Sequence, residues 1–338
     1  MKQTPTIRDV ARHAGVSPAT VSRVLNNHPS VNEATRYTVL QAAQTLAYPT
    51  DNLRTNGPVA RSVLVLSRID AHSPSKNDVT GMREFERAVW GGVHSVLEHH
   101  DIATRLQQTR MESDEARRYA ADPAVSGVIV LGGVVNHTFA QQLIEAGVPF
   151  VVAGAHQPPL QLNVVMADVF NGAMAVMQHL MERGRRRIAL INGPVTTSTS
   201  VEKLQAYRLA LSEAGLPFDE RHVLNSDFLA ESGHRATQEM LARYPDVDAL
   251  FYGEDTIALG GLRALKEAGR SVPGDVAIVG FGDYDLTRYT DPQMTTVHFD
   301  MRQLGRIAAQ RLAMLLEELD EDPWLVRVPC TLIEREST

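Results

Sequence analysis

Six short apolar runs punctuate the chain from residue 62 onward: VLVL (63–66), GVIVLG (127–132), PFVVAG (149–154), RIALING (187–193), ALFYG (249–253) and DVAIVGFG (275–282). Amphipathic stretches with helical periodicity separate them. Strands that alternate with helices in this way imply parallel sheets in α/β layers. The stretch is long for one open sheet, so two lobes are expected. Ligands of such sheets bind in the crevice beyond the carboxyl ends of the strands, here between the lobes.

The first 48 residues follow another pattern. Thr6-Ile7-Arg8-Asp9 has capping-box spacing, and Ile7, Val10, Ala11 and Ala14 recur at i, i+3, i+4 and i+7 as one buried stripe. Gly15 ends this helix, Ser17 is a good N-cap, and Pro18 suits a first helical position. A third helix is expected from about Glu33 to Ala47, burying Val39, Leu40, Ala43, Leu46 and Ala47. On the middle helix Val21, Val24 and Leu25 share one face, and Ala19, Arg23 and Asn26 fall opposite. Two helices joined by a tight glycine turn, the second with a bare outer face, read as a helix-turn-helix. An arginine can bond both O6 and N7 of guanine, and a small residue such as Ala19 can touch a thymine methyl. Thr20 and Ser22, on the flanks, are placed to bond phosphates. On geometry alone the alternative is a surface helix carrying a solvated arginine.

Charge agrees with a nucleic-acid contact at one end. The chain carries −7 overall. Residues 1–60 hold six basic and three acidic residues, a net +3, which leaves −10 for the remainder. A basic head on an acidic body suits a confined polyanion contact.

The run TIRDVARHAGVSPATVSRVLNNHPSVNEATRYTVLQAAQTLAY (6–48) resembles the DNA-binding head of the lactose repressor/galactose repressor (LacI-GalR) family. The resemblance continues through HLMERGRRRIALINGP (179–194), ALGGLRALKEAGRSVPGDVAIVGFGD (258–283) and MTTVHFDMRQLGRIAAQRL (294–312). It implies an α/β fold in which a three-helix helix-turn-helix head precedes a two-lobed domain like that of periplasmic sugar-binding proteins. The expected domains are a head over 1–48, a shortened hinge over 49–60, and an effector and dimerisation domain over 61–338. Lobe 1 is expected at about 61–160 plus 294–322 and lobe 2 at about 161–293 plus 323–338. The crossings then fall near 155–165, 290–295 and 320–326. By resemblance Pro18, Ala19, Arg23 and Asn26 read bases, and Thr6, Ser17, Thr20 and Ser22 hold phosphates. The partners implied are a palindromic double-stranded operator, a second copy of the chain, and a small-molecule effector such as a sugar derivative.

Departures from the family pattern narrow the reading. Family members carry a hinge helix that wedges a leucine into the minor groove. Here Pro49 directly follows Tyr48 and roughly one helical turn is missing. Leu53, with Arg54 beside it, reads either as that wedge or as an ordinary linker leucine. In the cleft, Lys203 stands where the family has arginine, Glu254-Asp255 where many members have Asn-Asp, and Gly282 where an aspartate is common, with Asp283 following. The effector candidates are Ser73, Phe85, Lys203, Phe228, Glu254, Asp255 and Asp283. Three of these have a plain structural alternative: Phe228 as core, Asp255 as a helix cap, and Lys203 as the partner of Glu254. Relatives with the arginine and aspartate recognise plain hexoses, to which little response is expected here.

Other classes fit less well. The sequence has no G-x-x-x-x-G-K-[ST], no G-x-S-x-G and no H-E-x-x-H, and its single cysteine, Cys330, excludes an internal disulfide and a multi-cysteine zinc site. No catalytic residue, metal site or cofactor is expected. A periplasmic-type solute receptor is the alternative function, but it would need a signal peptide and has no use for the head. MKQTPTIRDV lacks the apolar core of such a peptide, and no run reaches 18 apolar residues. A cytoplasmic protein with no membrane partner is expected.

Overall fold

The computed structural model describes residues 6–25, 31–46, 48, 62–68, 84–111, 113–132, 135, 137–154, 161–317 and 322–338. The chain divides into two compact units, Met1–Arg61 and Ser62–Thr338.

In the first unit, helices α1 (Ile7–Ala14), α2 (Pro18–Leu25) and α3 (Glu33–Thr45) surround a small core of Val10, Ala11, Val21, Val24, Val39, Ala42 and Ala43. The Asp9 carboxylate accepts from both the backbone N–H (2.9 Å) and the hydroxyl (2.6 Å) of Thr6, which starts α1 and holds the Asp9 carboxyl below the usual carboxylate range. Gly15, at φ +66°, ends the helix, and the Val16 N–H returns to the Ala11 carbonyl. Leu40 departs from expectation: it is exposed, and Ala42 is buried instead. Residues 39, 42, 43 and 46 share one helical face, while residue 40 lies about 100° away from it. Ala47 is outside the described residues.

The second unit begins with a six-stranded parallel sheet. Its elements are β1 (Ser62–Arg68), α4 (Glu84–Leu97), β2 (Ala103–Thr109), α5 (Ser113–Ala121), β3 (Val125–Leu131), α6 (His137–Glu145), β4 (Phe150–Ala153) and β5 (Val164–Ala167). The chain then forms a second parallel sheet through α7 (Val169–Glu182), β6 (Ile188–Asn192), α8 (Ser198–Glu213), β7 (Val223–Asn225), α9 (Ala230–Arg243), β8 (Ala249–Tyr252), α10 (Asp255–Glu267) and β9 (Ala277–Val279). It closes with β10 (Thr296–His298), α11 (Met301–Leu316), β11 (Leu325–Val328) and β12 (Thr331–Ile333). The strand orders are β11-β5-β4-β3-β1-β2 and β7-β6-β8-β9, with β10 and β12 paired antiparallel.

Burial on both faces explains the apolar runs. On β1, Val63 and Val65 face α4 and α11, while Leu64 and Leu66 face α5 and α6. On β6, Ile188 and Leu190 pack toward Tyr207 of α8, and Ala189 and Ile191 toward Met240 of α9.

All three lobe crossings lie a few residues later than expected. Val164–Ala167 pairs with β4 and β11 in the first sheet, so the first crossing follows Ala167. Thr296–His298 stays with the second sheet's side through β12, which moves the second crossing to Phe299-Asp300. Leu325–Val328 joins the first sheet, which moves the third to Pro329-Cys330. The two short strands that precede the first and third crossings, Val164–Ala167 and Leu325–Val328, satisfy their backbone groups by extending the first sheet's edge.

Candidate functional site

The head presents α2 as a candidate nucleic-acid interface. Ser17 caps it: its Oγ accepts from the Thr20 N–H at 3.0 Å and lies 2.8 Å from the Thr20 hydroxyl. Pro18 occupies the first turn and is exposed, as are Thr6 and Ser17. Val21 and Val24 point into the core, and the side chains of Ala19, Ser22 and Arg23 are outside the described residues. Asn26, Leu53, Arg54 and Ser73 are also outside the described residues.

The second unit contains a cavity of about 130 Å³ at the carboxyl ends of both sheets. Gly132 and Gly154 follow β3 and β4. Phe228, Glu254 and Phe281 follow β7, β8 and β9, and Lys203 comes from α8. Four sequence candidates meet there: Phe85, Lys203, Phe228 and Glu254.

Lys203 is the dominant charge. Its side chain is 4% exposed, and its ammonium lies 4.3 Å from the centre of the Phe281 ring. Burial drives its pKa down to about 8, against opposing pulls from Cys330, Glu254 and Glu202. Among the described residues no hydrogen-bond acceptor reaches it, so an entering ligand is free to supply one. Across the cavity, the Tyr284 hydroxyl donates to Glu254 Oε1 at 2.9 Å. The N-terminus of α8 also opens here. Thr197 caps it through Ser200, and Asn192 fastens its first turn by donating to the Ser200 carbonyl at 2.8 Å.

Phe228 lines the cavity from a left-handed backbone position, φ +65°. Its ring lies over Gly193, where a Cβ would stand 2.4 Å from a ring carbon, so the close approach requires glycine there.

Two sequence candidates do not line the cavity. Asp255 is fully buried beneath it: Oδ1 accepts from the Thr296 hydroxyl at 2.6 Å and Oδ2 from the Tyr284 N–H at 2.8 Å. Burial raises its pKa to about 7 in spite of these donors. It stands in the first turn of α10, after the N-cap residue Glu254, and bolts that turn to the strand β10 and to the loop after β9. Asp283 is turned away and held by Arg335, by His298 at 3.1 Å and by Arg288 at 3.5 Å. Both were cleft candidates by their places in the family's motifs, but each finds partners on other segments. Gly282 sits between them at φ +137°, and a Cβ there would lie 3.1 Å from Asp255 Oδ2 and 2.9 Å from the Tyr284 ring. An aspartate does not fit that space.

Sequence reasoning missed Phe281, Tyr284 and Phe299. The rings of Phe85, Phe299 and Phe281 form a row, with centroids 6.3 and 6.2 Å apart, that runs from α4 to the loop after β9. Phe281 was findable, because it lies within the apolar run DVAIVGFG, two residues after β9. Phe299 carried no signal, since its place depends on where the chain crosses between lobes.

Comparison with known proteins supplies the context. Residues 6–51 match the profile of bacterial regulatory proteins of the lacI family, and residues 177–338 that of the periplasmic binding protein-like domain. The HTH-type transcriptional regulator CelR of Thermobifida fusca is 36% identical over 343 residues, covering 99% of each chain. The HTH-type transcriptional repressor CytR of Escherichia coli strain K12 is 31% identical over 318 residues, covering 93% of this chain and 89% of its own. Among solved structures, a transcriptional regulator CelR–cellobiose complex aligns with a TM-score of 0.75 at 35% identity, covering 99% of this chain and 100% of that one. The lac repressor dimer bound to operator and the anti-inducer ONPF aligns with a TM-score of 0.72 at 23% identity, covering 99% of each chain, a likeness of fold.

Proposed function

Because this chain belongs to the lacI family of bacterial regulatory proteins, it is a DNA-binding transcriptional regulator, and we propose that it is a cytoplasmic, homodimeric repressor controlled by a sugar. A two-fold dimer presents two copies of α2 to successive major grooves and so reads a palindromic operator. In this reading Arg23 and Asn26 bond base edges, Pro18 and Ala19 make apolar contact, and Thr6, Ser17, Thr20 and Ser22 position the helix on phosphates. Leu53 and Arg54 approach the minor groove through the short hinge.

The observation that carries the effector reading is the buried Lys203 ammonium facing the cavity. A sugar offers it hydroxyl acceptors, offers donors to Glu254, and presents apolar ring faces to Phe228 and Phe281. The solved CelR relative binds cellobiose, and a disaccharide of that kind is the effector proposed here. The two lobes then respond by a population shift that changes the spacing of the heads. No helix among the described residues is long and apolar enough to cross a membrane. The relatives are transcriptional regulators rather than enzymes.

Calorimetric titration of the full chain with cellobiose and a monosaccharide panel, alongside anisotropy on a selected DNA site, tests this. Cellobiose is expected to bind and to change DNA affinity, and plain hexoses to do little. Tight hexose binding that survives Lys203→Ala would overturn it.

A further inference from the structure

Glu202 and Lys203 are consecutive on α8 yet face different parts of the molecule. Lys203 points into the cavity, whereas the Glu202 carboxylate is gripped by Arg327 of β11. The grip is bidentate: Nη1 donates to Oε2 at 2.9 Å and Nη2 to Oε1 at 2.8 Å. Glu202 is largely buried, its side chain 16% exposed. The two partners belong to different lobes. β11 is an edge strand of the first sheet, while α8 packs on β6 of the second. Arg327 also lies 3.9 Å from Asp168, the residue at which the chain leaves β5 for α7. One guanidinium, on the strand that leads into the third crossing, therefore meets a residue of the first crossing and the helix that carries the cavity's cation.

We propose that the Arg327–Glu202 pair is an inter-lobe clamp that positions Lys203 and ties occupancy of the cavity to the angle between the lobes. The inference rests on reading the cavity as the effector site. A planar fork on a carboxylate fixes orientation as well as distance, which a single point charge does not. Turning α8 to bring Lys203 onto a ligand moves Glu202 by the same rotation, so the paired arginine must follow or let go. Where it follows, the load reaches β11; where it lets go, α8 is freed from the first lobe. Glu202 and Arg327 are positioning residues in this account, and neither needs to touch the effector.

Two readouts on the full chain test the clamp. Spin labels on Arg117→Cys of α5 and Gln238→Cys of α9, in a Cys330→Ser background, report the inter-lobe distance. Calorimetry with cellobiose as the probe reports affinity. In the unmutated clamp a narrow distance distribution is expected, shifting with cellobiose. Glu202→Gln and Arg327→Met should each broaden that distribution and weaken cellobiose about tenfold. The double variant should lose no more than either single one, because both remove the same pair. Unaltered narrow distributions in both single variants, or losses that multiply in the double variant, overturn the clamp even if thermal stability falls. If the parent chain does not bind cellobiose, the effector reading fails, and the distance distributions of the free variants still decide the clamp.

Discussion

Replacing Lys203 with methionine separates stability from effector binding. Methionine keeps the length and apolar stem of the side chain and removes a buried charge. Burial lowers the lysine from its ordinary 10.5 to about 8, and at about 1.4 kcal/mol per pH unit the folded chain bears a cost of about 3 kcal/mol for holding the ammonium. The Phe281 face returns part of this, about 0.5–2 kcal/mol for a cation over an aromatic ring. Lys203→Met is therefore expected to stabilise the second unit by about 2 kcal/mol at pH 7, or about 3–4 °C in midpoint for a domain of this size. The pH dependence follows from linkage. Below about 8 the lysine is protonated in both folded and unfolded chains, and the full penalty is present. Between about 8 and 10.5 the unfolded chain holds more protons on the lysine, so the lysine's contribution to parent stability rises with pH and the gap to the variant closes. Cys330, pushed up to about 12 in the folded chain from its ordinary 9.0, acts in the opposite sense over this window, but parent and variant share it, so the gap reports the lysine. Urea unfolding of parent and variant from pH 7 to 10.5, with and without cellobiose, measures all of this. Cellobiose should stabilise the parent and not the variant. A variant less stable than the parent at pH 7 would refute the argument, because it would mean the protein's own groups already satisfy the ammonium.

Three further outcomes are expected. Gly193→Ala sets a Cβ 2.4 Å from the Phe228 ring; forcing the ring aside should cost about 1–3 kcal/mol in urea melts and weaken cellobiose in calorimetry. Asp255 has a raised folded pKa of about 7, so its contribution is full below its ordinary 3.8 and is lost as pH rises through 7; the stability difference between parent and Asp255→Asn should slope across that interval and flatten above it. Arg23→Ala should cost about 1–3 kcal/mol per lost bidentate guanine contact on a selected DNA site while sparing binding to a scrambled duplex at low salt, with equal losses on both pointing to a phosphate contact.

The head and the strand–helix alternation were legible in the residues because their signals are local. A capping carboxylate three residues from Thr6, a left-handed glycine at 15 and valines spaced at helical intervals act within one or two turns. Apolar runs such as VLVL likewise announce strands buried on both faces, whatever lies around them. The arrangement of the cavity was legible only in part. Lys203, Glu254, Phe85 and Phe228 line one cavity, but Asp255 and Asp283 are taken up by Thr296, Tyr284, His298 and Arg335. Those partners arrive from segments up to 52 residues away. A carboxylate after a strand is equally suited to a ligand or to a neighbouring chain segment, and only the packed arrangement determines which donors reach it first. The lobe crossings were decided in the same way. An apolar tetrapeptide such as VVMA (164–167) forms a strand wherever an edge is open to it, and β4 offered that edge. Local sterics and hydrogen bonding write the elements into the sequence, but long-range pairing, which no short window contains, assigns each polar group its partner.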